Sequence, residues 1–176
     1  MFGMVRDLLT TKDDDAFEKL YERIEKYEGI SDNMEVEIAK YLDQVSDAHL
    51  SDDTKEKVRD MLREIAEIES IGDSCFNIAR TISRLRSSKE EFTESQYDNI
   101  KQMFELTDDA LTQMSVVLVK HKCDVDVTRT FTIENEINNY RSQLRTQNIN
   151  DINEHKYSYT AGTLYMDIIQ ECEKLG

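Results

Sequence analysis

Apolar residues recur every seven positions along most of the chain, in two series offset by three residues. We label these series a and d, after the heptad positions of amphipathic helices. In residues 15–44, series a includes Phe17, Ile24, Ser31 and Ile38, and series d is Leu20, Tyr27, Met34 and Tyr41. In residues 52–85, series a is Val58, Ile65, Gly72 and Ala79, and series d is Met61, Ile68, Cys75 and Ile82. Series sustained over four heptads predict two long α-helices.

Three further helices are predicted in the rest of the chain. One covers residues 94–121 and begins at a capping box formed by Thr93 and Gln96. Another covers residues 127–145, and the last begins after a second capping-box pattern at residues 151–154 and continues to the final residue. The connections at residues 46–51, 87–92, 122–126 and 148–153 are short and polar. Short connections between long helices predict an elongated, antiparallel up-and-down bundle in one compact domain.

Composition narrows the fold and function classes. The 176 residues include no Pro, no Trp and only five Gly, which disfavours β-sandwiches, barrels and α/β folds. A net charge of -15 argues against binding to duplex nucleic acid. No run of apolar residues is long enough to span a membrane. Cys75, Cys123 and Cys172 lie far apart, so a disulfide framework is not expected, and we interpret all three as small buried hydrophobes.

A pair of acidic residues four positions apart is repeated along the chain. Glu28 and Asp32 form the first pair, and Glu69 and Asp73 form the second, 41 positions later. The pattern returns in part at Glu134, Asn138 and Glu173, with 39 positions between the two glutamates. Residues four apart share one helix face. Each leading Glu occupies heptad position e and each second residue position b, so neighbouring helices would bring the pairs together.

Four converging carboxylates cannot all remain ionised without protons, basic groups or cations. Oxygen ligands suit a hard cation such as Mg, Mn, Ca or iron. We therefore predict a first metal site at Glu28, Asp32, Glu69 and Asp73, and a degenerate second site at Glu134, Asn138 and Glu173. Gly29, Gly72 and Gly176 lie within these motifs, and a glycine within a helix costs about 1 kcal/mol relative to Ala. Gly72 and Gly176 occupy position a, where a missing side chain lets two helices approach closely. The alternative is a solvated acidic face, as expected for pairs such as Glu105 and Asp109.

No enzyme class is favoured. No Glu has a His three residues later, so the ligand pattern of carboxylate-bridged di-iron oxidases is missing from the sequence. The three histidines, His49, His121 and His155, fall at predicted loops or helix ends and are interpreted as surface residues. There is also no nucleophile–His–acid arrangement and no glycine-rich phosphate loop. No catalytic residue and no organic cofactor is predicted.

The second acidic motif carries a resemblance to a known family. Residues 68–73 (Ile-Glu-Ser-Ile-Gly-Asp), followed by Asn-Ile-Ala at 77–79, resemble the ERIGD-x-x-x-NI signature of PhoU proteins. Residues 27–32 are similar to the acidic element of the preceding PhoU helix, and residues 123–126 and 134–138 resemble the start of a second PhoU repeat. Ser70 stands where the family often has Arg, and Asn138 replaces an expected Asp.

The resemblance implies an all-α fold of duplicated three-helix units, metal bound by the acidic motifs, and a non-catalytic role in controlling phosphate uptake. It implies a first unit at residues 13–124 and a second, truncated unit at 125–176, with residues 1–12 as a junction after a membrane region. Among PhoU-like proteins the chain is most similar to the cytoplasmic C-terminal domain of sodium/phosphate cotransporters. The expected partner is then the transporter's transmembrane part, at the cytoplasmic face of the inner membrane.

Two alternatives remain open at this point. The first is a free-standing PhoU-type regulator in the cytoplasm. The second is a metal-free helical scaffold for oligomerisation. Tyr157, Tyr159 and Tyr165 on the last predicted helix suggest an exposed pairing face, and a homodimer is expected.

Overall fold

The computed structural model describes residues 1–46, 50–119 and 127–176. Within these ranges the chain forms six α-helices and no strand, which confirms the predicted all-α class. The helices are α1 (Phe2–Thr10), α2 (Asp14–Ser46), α3 (Asp52–Ser87), α4 (Glu94–Val119), α5 (Thr128–Asn153) and α6 (Tyr159–Leu175). At 1.5 Å per residue, α2 and α3 are each about 50 Å long. No helix in the described ranges has the length and apolar character that crossing a bilayer requires.

The predicted capping box at the start of α4 is confirmed. The Thr93 amide donates to Gln96 Oε1 at 3.0 Å, and the Gln96 amide donates to Thr93 Oγ1 at 3.2 Å. Helix α3 begins in a similar way, because Ser51 Oγ accepts from the Thr54 amide. These side chains satisfy amides that have no partner within the first helical turn.

Helix α1 is a part of the core that the sequence analysis missed. Its residues were treated as a junction, but Phe2, Val5 and Leu8, spaced three apart, are all buried. The Phe2 ring meets the Phe104 ring of α4 edge-on, with centroids 5.3 Å apart. A nine-residue helix has too few turns to show a heptad pattern, so only its packing reveals it.

The predicted boundary between the last two helices is wrong. Helix α5 continues through the predicted loop at 148–153 and ends at Asn153. Asn148 is buried there and accepts a hydrogen bond from the Tyr157 hydroxyl at 2.9 Å. His155, with φ of 57°, then turns the chain, and Ser158 caps α6 by accepting from the Ala161 amide at 3.0 Å.

Two groups of three helices pack against each other. Helices α1, α2 and α3 contact one another, and so do α4, α5 and α6. Helix α3 also packs against α6, and this contact joins the two groups. Helix α4, which the sequence analysis assigns to the first unit, contacts α5, α6 and α1. The predicted unit boundary at residues 124 and 125 lies outside the described residues.

One hydrophobic core runs through both groups of helices. Cys75 and Cys172 are fully buried in it, as predicted for small hydrophobes, and burial raises the pKa of the Cys75 thiol to about 11. Cys123 lies outside the described residues. Tyr165, predicted to be exposed, is buried and meets the Phe92 ring edge-on at 6.2 Å, whereas Tyr159 is exposed.

Candidate metal centre

Carboxylates from α2 and α3 converge on one side of the pair of antiparallel helices. One oxygen from each of Glu28, Asp32 and Asp73 lies within 4.8 Å of the others. Glu28 and Asp32 are one turn apart on α2, and Asp73 comes from α3. Three of the four residues predicted for the first site are therefore brought together.

Glu69, the fourth predicted residue, lies one turn before Asp73 but outside this group of three. Partial burial raises its pKa above the usual value, and the negative charges of Asp73 and Glu35 raise it further. The pKa of Glu28 is raised in the same way, first by burial and then by the charge of Asp32. Both shifts show that these side chains occupy a place where negative charge is disfavoured.

Asp32 carries an unsatisfied oxygen. Its Oδ1 atom is buried, and it has no hydrogen-bond partner among the described residues. A buried carboxylate oxygen without a donor is unfavourable, and a cation would supply the missing partner. Oxygens bound to one Ca²⁺ at 2.3–2.6 Å are up to about 5 Å apart. The separations among the three oxygens, all within 4.8 Å, are thus in the range found for oxygens that share one Ca²⁺.

Gly72 allows α2 and α3 to approach closely beside this cluster. A Cβ atom at this position would lie 3.3 Å from Ser31 Oγ and 3.4 Å from Ser31 Cβ. Gly29 differs, because a Cβ atom there would have no neighbour within 4 Å. Gly72, for which the sequence analysis predicts a close approach of helices, therefore does lie against the neighbouring helix, whereas Gly29 does not.

The second predicted site is arranged differently. Glu134 is exposed, Asn138 is half-buried, and Glu173 faces Arg141, with 3.8 Å between Glu173 Oε1 and Arg141 Nε. These residues do not meet the spacing that groups Glu28, Asp32 and Asp73 in the described part of the chain. Gly176 does lie close to a neighbour, since a Cβ atom there would collide with Ile137 Cδ1.

The sequence analysis missed two charged neighbours of the first site. Glu35 contributes to the raised pKa of Glu69, and Arg80 acts in the opposite direction on the pKa of Glu28. Glu35 follows Glu28 by seven residues, so the heptad periodicity already indicated that both glutamates lie on the same face of α2. Of the histidines, His155 is exposed and distant in sequence from the motifs, and His49 and His121 lie outside the described residues.

Comparison with known proteins shows which family model and which solved structure the chain is similar to. A family model described as "PhoU domain" matches residues 1–82, which span α1, α2 and most of α3. A search of curated proteins by sequence found no match. Among solved structures, the chain is similar to the phosphate transport system regulatory protein PhoU from Streptococcus pneumoniae, with a TM-score of 0.71 and 18% identity, over 99% of this chain and 83% of that one. Residues 1–82 thus match the PhoU domain, and the whole chain has the fold of a PhoU protein.

Proposed function

We propose that the chain is a non-catalytic regulator of phosphate transport whose first helical hairpin binds a hard cation. The observation that carries the proposal is the convergence of Glu28, Asp32 and Asp73 within the segment that matches the PhoU domain. The solved PhoU structure with the same fold is described as a phosphate transport system regulatory protein. The fold supports the regulatory role, and the acidic cluster supports the cation site.

Glu28, Asp32 and Asp73 would hold the ion, and Glu69 lies near enough to Asp73 and Asp32 for their charges to raise its pKa. The cation would neutralise charges that repel one another across the two helices. Asp32 Oδ1 would gain the partner it lacks. Mg, Mn, Ca and iron all prefer oxygen ligands, so the donor set favours hard cations as a class.

A binding experiment tests the cation site. Purified protein is dialysed against Mg²⁺, Ca²⁺, Mn²⁺ or Fe²⁺, and bound metal is measured by mass spectrometry. The variant Glu28→Gln/Asp73→Asn should lose the bound metal. The control Glu105→Gln/Asp109→Asn removes an exposed acidic pair with the same spacing on α4 and should bind as wild type does. Near-zero metal in all three proteins would support the metal-free scaffold instead.

A transport experiment tests the regulatory role. The gene is deleted in its host and restored as wild type or as the Glu28→Gln/Asp73→Asn variant, and uptake of radiolabelled phosphate is measured at low and high external phosphate. Deletion should alter how uptake depends on external phosphate, and wild type should restore the normal response. Unchanged uptake after deletion would contradict the regulatory role even if the protein binds metal.

Two settings are proposed for this role. In the first, the chain is the cytoplasmic part of a sodium/phosphate cotransporter and acts on its transmembrane helices at the inner membrane. In the second, favoured by the likeness to a phosphate transport system regulatory protein, it is a separate cytoplasmic regulator. The reading frame upstream of Met1 separates them: apolar helices in the same frame support the first setting, and a neighbouring phosphate transport operon supports the second.

A further inference from the structure

A polar cavity lies between α3 and α6, the two helices whose contact joins the two groups. Its volume is about 250 Å³, which is smaller than the roughly 300–1,000 Å³ of sites for drug-sized ligands. From α3 it is lined by Asn77, Arg80, Thr81 and Arg84, and from α6 by two carboxylates and an amide. All of these side chains are polar, so the cavity suits a small polar ligand rather than an apolar one.

Opposite charges line the two sides of this cavity. Arg80 and Arg84 are one turn apart on α3, and Asp167 and Glu171 are one turn apart on α6. The charges of these four side chains sum to zero. A ligand with a single charge would therefore face a like charge on one side, whereas a ligand with one positive and one negative group could match both sides.

The four charged side chains do not neutralise one another. Within the part of the chain that the structure describes, the side chains of Arg80, Arg84 and Asp167 form no ion pair and no hydrogen bond. Glu171 Oε1 pairs with Lys174 Nζ on the same helix at 2.7 Å, but Glu171 Oε2 is buried and has no hydrogen-bond partner among the described residues. A buried carboxylate oxygen without a donor is unfavourable. Both sides of the cavity thus retain charged groups that a ligand could pair.

We propose that the cavity binds a free α-amino acid, with its carboxylate toward α3 and its ammonium group toward α6. The guanidinium of Arg84 can hold a carboxylate through two parallel hydrogen bonds. An ammonium group has three donors, which suit the carboxylates of Asp167 and Glu171. The amides of Asn77 and Gln170 remain for a polar side chain of the ligand. A ligand in this place would link the two groups of helices, so the inference goes beyond the proposed function, and it uses none of the predicted metal ligands.

Calorimetric titration tests the proposal. The probes are glycine, L-serine and L-glutamine, and the matched controls are acetate and methylammonium, each of which carries only one of the two charges of glycine. We expect at least one of the amino acids to bind at least tenfold more tightly than either control, because each control loses one charge-assisted contact. Failure of all three amino acids to bind, or equally tight binding of a control, would overturn the proposal.

Single substitutions on each side of the cavity identify the site. Arg84→Gln and Asp167→Asn should each weaken binding of the amino acid at least tenfold. Arg84 is exposed and Asp167 is half-buried, so the fold should tolerate both changes. The control Arg63→Gln removes an exposed arginine of α3 that does not line the cavity, and it should bind as wild type does. Arg80 is left unchanged because its charge also acts on the pKa of Glu28.

Two further outcomes would overturn the proposal. Equal binding by wild type, Arg84→Gln and Asp167→Asn would place the amino acid elsewhere on the protein. Binding of inorganic phosphate that Arg84→Gln abolishes, and that the amino acids do not displace, would show that a single anion occupies the cavity.

Discussion

The two halves of the molecule carry related acidic motifs with different neighbours. At the first, Glu28, Asp32 and Asp73 face one another, and a buried oxygen of Asp32 has no partner in the described residues. At the second, Arg141 faces Glu173, and Asn138 stands where a further carboxylate was expected. Helical spacing alone places acidic residues on a common face. Whether they require an external cation depends on the charges supplied by the adjacent helix.

The largest expected effect is the loss of stabilisation by a cation. A ligand at a hundred times its Kd stabilises the folded state by about 2.7 kcal/mol. For a domain of this size we expect a rise in Tm of about 5–10 °C on adding the bound cation. Glu28→Gln/Asp73→Asn should lose this rise, and Glu134→Gln/Glu173→Gln should keep it, as measured by calorimetry. An equal cation-induced rise in the Tm of both variants would show that the first acidic motif does not bind the cation in preference to the second.

The next effect concerns the close approach at Gly72. The Gly72→Val variant should lose about 1–3 kcal/mol of unfolding free energy, because its side chain must enter the space next to Ser31. It should also weaken cation binding, since the helices that carry Asp32 and Asp73 would be forced apart. Urea denaturation and metal titration measure the two effects.

Gly29 provides the matched control for Gly72. A Cβ atom meets nothing there, so Gly29→Ala should stabilise the protein by up to about 1 kcal/mol through helix propensity alone. Cation affinity should be unchanged. Destabilisation by Gly29→Ala would show that the glycine has a role that its surroundings do not reveal.

A smaller effect is expected in the pH dependence of the cation-free protein. The pKa values of Glu28 and Glu69 are raised in the folded state, mainly by burial, so folding favours their protonated forms. Their unfavourable contribution is fully present at neutral pH and disappears as the pH falls toward their ordinary value of 4.5. In EDTA, Glu28→Gln/Glu69→Gln should therefore have the higher free energy of unfolding at pH 7, by about a few tenths of a kcal/mol per like-charge pair, as measured by urea denaturation. The difference should shrink as the pH is lowered, and a constant difference would contradict the proposed charge repulsion.

The smallest effect is expected at the second motif. Arg141 and Glu173 are partly exposed and 3.8 Å apart, so Arg141→Met should lower the unfolding free energy by less than about 1 kcal/mol. The variant should also leave cation binding at the first motif unchanged. A loss of several kcal/mol in urea denaturation would show that this pair stabilises the fold far more than a partly exposed ion pair should.

The long helices could be predicted from sequence because their periodicity extends over four heptads. Helix α1 has only nine residues, so its contribution to the core depends on contacts with distant segments such as Phe104. The end of α5 was missed because Asn148 is buried against Tyr157, which no local pattern reveals. The left-handed turn at His155 lacks the glycine that usually marks a helix end.

The acidic residues of the candidate site could be predicted because i, i+4 spacing fixes their common face. Their convergence also depended on the register between α2 and α3, and the shared heptad positions indicated that register correctly for Glu28, Asp32 and Asp73. The pairing of Glu173 with Arg141 could not be predicted, because it depends on how α5 and α6 are placed side by side.

Anomalous diffraction from crystals grown with Mn²⁺ tests the central claim most directly. The account predicts an anomalous peak between α2 and α3, at about 2.2 Å from carboxylate oxygens of Glu28, Asp32 and Asp73. Glu28 and Asp32 pointing into solvent, away from Asp73, with Mn²⁺ bound only elsewhere or not at all, would contradict it.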